Sequence, residues 1–327
     1  MAVYKKQWNP EKLKLKSVNK LKVELGGYVA STRVEIPFFA LIGKTREPKF
    51  SVVAAVHGNE FEGVAVLLDL ARELDPHRLR GTLTLVPAVN PQAFHAGLRR
   101  NPIDLADLNR TFPGKPDGTL SERLAYTILQ EFVLGNDLVL SMHGWWHEAA
   151  VIPYVEYPLG SGAAVRRSRD AALATGLKYL HPYKWLPGQL GAQAVLNGVA
   201  ALEPEVGGMG TVTPEGQRTY RNMVYRLLVH LGMLDAKDSR ADPPGHAPKL
   251  IDHGAYLANY AGLFRSCVRV GEMVKKGDLL WKTFSLAGDC LEEFRASRPS
   301  MVGMLRTFAS VQPGDLLCQL FWESGKK

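Results

Sequence analysis

The segment SVVAAVHGNEFEGVAVLLDLAREL, residues 51–74, joins three kinds of local sequence. It begins with the short apolar run SVVAAV (51–56), turns through polar HGNE, and continues with apolar residues at helical spacing up to Leu74. An apolar run of this length reads as a strand buried on both faces, and such strands belong to sheets covered by helices. A buried strand feeding directly into a helix starts a strand–helix–strand unit.

The same alternation recurs downstream. TLTLVPAVN (82–90), DLVLSM (137–142), VIPYVEY (151–157) and GVAALEPEVGG (198–208) read as further strands. Thr119-Leu120-Ser121-Glu122 has the form of a capping box and opens a helix through about Phe132. Leu124, Ile128, Leu129, Phe132 and Val133 make its apolar face. GSGAAVRRSRDAALATG (160–176) and the stretch from about Pro214 to Leu234 read as helices. Within residues 1–50, LKVEL and STRVEIPFFALIG predict short strands leading into the main sheet. The expected fold class is therefore α/β: a mixed, mostly parallel sheet with helices on both faces. KDSRADPPGHAPK (237–249), rich in Pro, Gly and charge, marks a linker. Beyond it, turn signals such as VRVGEMVKKGD and VQPGD predict a small C-terminal all-β domain. The expected division is residues 1–236, a linker at 237–249, and 250–327.

Composition narrows the class of partner. The 327 residues are 46% hydrophobic and carry a formal charge of +8. The basic residues are scattered, with no run of five, so a cleft that draws in an anionic small molecule is expected and nucleic acid is not. MAVYKKQWNPEKLKLK has no apolar stretch behind its charges and does not read as a signal peptide. No apolar run approaches the roughly 18 residues of a membrane span, so no membrane partner is expected. Cys267, Cys290 and Cys318 are odd in number and form no CxxC pair, which makes a reducing cytoplasm the default location. Self-association is left open.

Chemistry-bearing residues fall at strand ends. His57 and Glu60 follow the strand at 51–56, and His143 follows DLVLSM. Ligands of open α/β sheets bind beyond the carboxyl ends of the strands, so these three side chains can converge there. Two imidazoles and a carboxylate suit one zinc ion with an open position for water. His147, four residues beyond His143, is a rival ligand if HGWWHE is helical. NPQAFHAGLRRNPIDLADLNRTFPG (90–114) is a polar loop in which Arg99, Arg100 and Arg110 can grip a carboxylate or polarise a carbonyl, with Asn109 as donor. The bland alternative pairs those arginines with Asp104 and Asp107. On ALEPEVGG (201–208), Glu203 and Glu205 point to one face, and either can serve as the acid–base group.

HGNE, NPQAF, DLNRTFPG, a strand-end His and EVGG, in that order, resemble the succinylglutamate desuccinylase and aspartoacylase family of zinc carboxypeptidase-like hydrolases. The resemblance spans roughly residues 50–325, including the β-rich tail. It implies one Zn2+ per chain, held by His57, Glu60 and His143, with residues 1–236 as the zinc hydrolase domain. It implies Glu205 as the catalytic glutamate with Glu203 its neighbour. Asn109 and Arg110 match the pair that binds a substrate carboxylate, and Arg99, or Arg100 if the loop shifts by one, matches the arginine that polarises the scissile carbonyl. Two departures stand out: Ser141 replaces an aspartate two residues before the last zinc histidine, and GWWHEA replaces a small polar turn. The second suggests an aromatic pocket with Trp145, Trp146 and Tyr154, although the same aromatics would serve equally as core.

The implied activity is a zinc-dependent amidohydrolase acting on an N-acyl amino acid or related small carboxylate. Zinc carboxypeptidase action on peptides is the alternative, and a binding module that has merely kept the fold is a third reading.

Overall fold

The computed structural model of the chain describes residues 2–4, 8–25 and 33–324. In chain order the elements are β1 (Ala2–Tyr4), β2 (Ser17–Glu24), β3 (Glu35–Ile42), β4 (Lys49–Ala54), α1 (Glu62–Glu73), β5 (Thr82–Val86), α2 (Pro91–Ala96) and α3 (Leu120–Ile128). They continue with β6 (Leu138–Met142), β7 (Ala149–Pro158), α4 (Ala163–Ala174), β8 (Tyr179–Tyr183), α5 (Leu190–Leu196), β9 (Ala200–Gly208) and α6 (Pro214–His230). The tail adds β10 (Lys249–Leu257), β11 (Gly262–Ser266), β12 (Met273–Val274), β13 (Leu279–Phe284), β14 (Cys290–Arg295), β15 (Ser300–Arg306), β16 (Ser310–Val311) and β17 (Leu316–Glu323). Part of the predicted N-terminal strand stretch, residues 26–32, lies outside the described residues.

β4 carries no polar alternation because both of its faces are buried. Phe50, Val52 and Ala54 pack in one core with Leu67 and Leu70 of α1 and Met223, Val224 and Leu227 of α6. Val53 and Val56 pack in a second core with Leu124 and Ile128 of α3 and Leu190 and Ala194 of α5. The capping box at Thr119 is formed: its hydroxyl accepts from the Glu122 amide, and the Glu122 carboxylate accepts from the Thr119 amide. No helix among the described residues is long and apolar enough to cross a membrane.

The fold is mixed α/β, and its sheet is mixed rather than mostly parallel. β5, β4, β6 and β9 run parallel, as do β7, β8 and β10, but β7 lies antiparallel to β9 and β3 antiparallel to β5. The cause is connection length. Only residues 143–148 separate β6 from β7, whereas a parallel crossover needs about a dozen residues or more. β8 and α5, across residues 179–196, escaped the sequence reading because LHPYKW mixes Pro with polar and aromatic residues and shows no clean period.

The tail is all-β, and several of its strands are hydrogen-bonded into the main sheet. β10 pairs with β8, β17 with β10, β15 with β17, and β15 returns to pair with β7. These five strands form a closed ring beside the carboxyl ends of β4 and β6. β14, β13, β11 and β16 make a separate four-stranded sheet, whose Phe264 and Trp281 share a core with Leu317 and Leu320 of β17. Asp242, within the expected linker, accepts from Asn222 at 2.9 Å and contacts Arg226, both on α6.

The turn after β4 depends on a close backbone approach. A Cβ on Gly58 would stand 1.9 Å from the Ala93 carbonyl carbon of α2. Gly58→Ala should therefore force the HGNE turn away from α2 and cost about 1–3 kcal/mol. Urea unfolding measures this, and an unchanged midpoint would show that the approach is not tight.

Candidate active site

Glu60 closes the turn after β4, its amide donating to the His57 carbonyl at 3.3 Å. Its carboxylate is buried and divided between two imidazoles: Oε1 lies 2.7 Å from His57 Nδ1 and Oε2 3.0 Å from His143 Nδ1. His143 follows β6, and β6 runs parallel beside β4, so the two strand ends bring the three side chains together as expected. One ligating atom from each lies within 4.8 Å of the others. Burial alone would raise the Glu60 pKa, but His57 and His143 hold it down to about 2. Burial alone would lower both imidazoles, yet the Glu60 carboxylate raises them. A dry cluster of two imidazoles and a carboxylate that draws positive charge in this way can hold a divalent cation in place of protons.

Both histidines use their other nitrogen outward. His57 Nε2 lies 3.2 Å from Asp107 Oδ1, and His143 Nε2 lies 3.0 Å from the Ser141 hydroxyl. These contacts fix ring orientation and leave both Nδ1 atoms facing Glu60. Ser141 thus supplies a partner where the family pattern has an aspartate. His147 is exposed in a turn, 3.5 Å from Glu148, and takes no part in the cluster. HGWWHE is not helical, so the rival ligand pair does not form.

The loop at 90–114 folds back over the metal-type cluster. Asn90 donates to the Val56 carbonyl at 3.2 Å, and Asn101 donates to Asn90 at 3.2 Å. Asp107 links three neighbours: Oδ1 accepts from the Asn109 amide at 3.0 Å and faces His57, and Oδ2 accepts from Arg99 Nε at 3.1 Å. Burial would raise its pKa, but His57 and Arg99 hold it below the usual carboxylate range. Sequence reading treated Asp107 only as a charge partner for surface arginines; its place directly before Leu-Asn-Arg was the available signal. Held at 2.9 Å by Asp107 and stacked on Trp146, Arg99 points Nη1 to within 3.4 Å of His57 Nδ1. Arg110 is exposed, lines the cavity, and donates to the Asn109 carbonyl at 2.8 Å. Arg100 contacts the Leu105 carbonyl at 3.3 Å and is not among the residues lining the cavity. The Asn109 amide is buried, accepting from the Leu190 amide at 2.8 Å and donating to Glu203 at 3.4 Å.

Glu203 and Glu205 share a face of β9 but differ in surroundings. Glu203 accepts from the Gly191 amide at 2.8 Å and from Asn109 and Gln189 at 3.4 Å. Glu205 bridges to His143 through the backbone, with His143 donating to the Pro204 carbonyl at 3.0 Å and Val206 donating to the His143 carbonyl at 3.1 Å. Its Oε2 is buried without a hydrogen-bond partner, and burial pushes its pKa well above the usual value. Both line a cavity of about 190 Å³ together with His57, Glu60, His143 and Arg99. Trp145, Trp146 and Tyr154 line the same cavity. Glu156, Tyr183, His253 and Gln319 also line it, none of which the sequence reading singled out.

The catalytic-domain model of succinylglutamate desuccinylase/aspartoacylase matches residues 46–231. An N-alpha-acetyl-L-2,4-diaminobutyric acid deacetylase of Halomonas elongata is 30% identical over 271 residues, covering 80% of this chain and 78% of that protein. The product-bound ectoine utilization protein EutE (DoeB) of Ruegeria pomeroyi superposes with a TM-score of 0.84 at 27% identity, covering 95% of this chain and 97% of the other. A succinylglutamate desuccinylase/aspartoacylase of Rhodobacter sphaeroides gives 0.85 at 25% identity, covering 96% and 98%. With its site motifs in place and more than half its length matched, the chain belongs to the succinylglutamate desuccinylase/aspartoacylase family.

Proposed function

We propose that the chain is a zinc-dependent amidohydrolase that removes an acyl group from an N-acyl amino acid. The observation that carries this reading is the buried Glu60 carboxylate shared between His57 Nδ1 and His143 Nδ1, next to a poorly solvated Glu205. Zinc suits this donor set, and when bound it would polarise the scissile carbonyl and activate water. Glu205 takes a proton from the attacking water and passes it to the leaving amine, a role suited to a carboxyl whose pKa burial has raised. Arg99, aimed by Asp107, donates to the oxygen on which negative charge develops. Arg110 forms no ion pair within 4.0 Å among the described residues and lines the cavity, which suits it to bind the substrate's own carboxylate, with Asn109 beside it holding the loop. The relative from Halomonas elongata, named for deacetylating an N-acyl amino acid, supports this substrate class.

A panel of N-acetyl, N-succinyl and N-aroyl amino acids, assayed beside a fluorogenic peptide, tests the reading. Deacylation is expected; peptide cleavage without it would make the chain a carboxypeptidase. Glu205→Ala should lower turnover by about 10²–10⁴-fold while elemental analysis still finds one zinc per chain. Near-normal turnover would remove Glu205 from the mechanism. Asp107→Asn weakens the support of His57, so zinc affinity measured by chelator competition should fall by about 10–100-fold.

A further inference from the structure

Trp146 takes no part in bond making or proton transfer, yet it borders the cavity. The Arg99 guanidinium lies over its ring, 5.3 Å from the centroid, and the Trp145 ring stands 5.8 Å away. Trp146 and Arg99 line the cavity of about 190 Å³ that holds the metal-type cluster. The same two residues also line a second, outer groove of about 360 Å³. Their stack is therefore the partition between the two. Beyond it the groove takes apolar surface from Leu98, Pro102 and Leu105.

Both halves of the partition are anchored. Asp107 holds Arg99 at 2.9 Å. The Trp146 carbonyl accepts from the Ala149 amide at 3.1 Å and from the Met209 amide at 3.0 Å. Two residues further on, the Glu148 carboxylate pairs at 2.9 Å with Arg306 of β15, and the Glu148 carbonyl accepts from the Thr307 amide at 2.6 Å. Arg306 is only 6% exposed, so losing Glu148 would leave a buried cation with Asp315, at 3.4 Å, as its remaining carboxylate. The tail thus clamps the turn that carries Trp146.

The direction of the substrate decides what this partition limits. Arg110 marks the amino-acid end of the cavity, and it sits beside the turn at 184–189, where the Phe112 amide donates to the Gly188 carbonyl at 3.1 Å. Trp146 stands on the Arg99 side of the cluster instead. A substrate with its carboxylate at Arg110 and its scissile carbonyl at Arg99 directs its acyl carbons away from Arg110, towards the indole. We propose that Trp146 is the residue that sets acyl length: it confines the reaction to acyl groups of a few carbons and closes off an apolar groove able to hold a longer chain. The proposal rests on the deacylase reading for the orientation of the substrate.

The test compares kcat/KM for the N-acetyl and N-hexanoyl forms of the amino acid that the protein accepts best. The unaltered protein should disfavour hexanoyl by at least about 30-fold. Burying a methylene is worth about fourfold, so Trp146→Ala, which joins cavity and groove, should raise the hexanoyl-to-acetyl ratio by at least about 30-fold. Trp146→Phe keeps an aromatic partition and should keep the short-acyl preference. Adding Leu105→Asp to Trp146→Ala places a charge in the groove and should remove most of the gain. Comparable hydrolysis of both compounds by the unaltered protein, or an unchanged ratio in Trp146→Ala, overturns the proposal. So does a gain in Trp146→Ala for bulkier amino acids at constant acetyl group instead of for longer acyl groups. Calorimetry of the zinc-loaded proteins with acetate and hexanoate makes the same comparison without turnover, and hexanoate should gain affinity only in Trp146→Ala. That gain with no turnover of any N-acyl amino acid would support the partition and overturn the deacylase reading instead.

Discussion

A carboxylate buried between two imidazoles is the constraint on which the rest of the site depends. Removing Glu60 from water costs several kcal/mol unless opposite charge meets it. His57 and His143 supply that charge, and each needs its own strand end and its own partner on the far nitrogen. Parallel pairing of β4 with β6 sets the two strand ends side by side. Gly58 lets the turn approach α2, and Asp107 and Ser141 hold the rings. A cation in the cluster would take over the balance that protons otherwise provide, which is why metal loading and local order are expected to be linked.

The parts of this arrangement legible in the sequence were those governed by local pattern. Apolar runs located β4, β6 and β9, the capping box located α3, and strand-end position singled out His57, Glu60 and His143. The parts that escaped depend on contacts distant in sequence. β7 turns back against β9 because six residues cannot make a crossover, and no periodicity announces that. The ring through β7, β8, β10, β17 and β15 joins strands up to about 150 residues apart. Nothing in the local sequence therefore singled out Glu156, His181 and His253 as a group. Asp107 was visible but undervalued, since an aspartate before Leu-Asn-Arg is as readily a capping residue as an orienting one; here it is both.

The ring also changes what the tail contributes. A β-rich C-terminal segment could have been an appendage that narrows access. Instead β10 and β17 place His253 and Gln319 in the cavity beside residues of the large sheet. The cavity thus combines the metal-type cluster, Arg99 and Arg110 with side chains supplied by the tail.

Glu203 and Glu205 show how surroundings divide roles between identical side chains. They leave β9 on one face, two residues apart, and either could have been the acid–base group. Glu203 receives donors from Gly191, Asn109 and Gln189, so its oxygens are engaged in holding α5 and the loop at 90–114. Glu205 has one buried oxygen with no partner, next to His143 across a backbone bridge. Burial raises the pKa of both carboxyls, but the donors from Gly191 and Asn109 oppose the rise at Glu203, whereas Glu205 Oε2 has no donor to oppose it. A desolvated carboxylate gains by accepting a proton, and it can release it again to an amine. The same poverty of partners that makes Glu205 costly in the resting protein is what fits it for proton transfer.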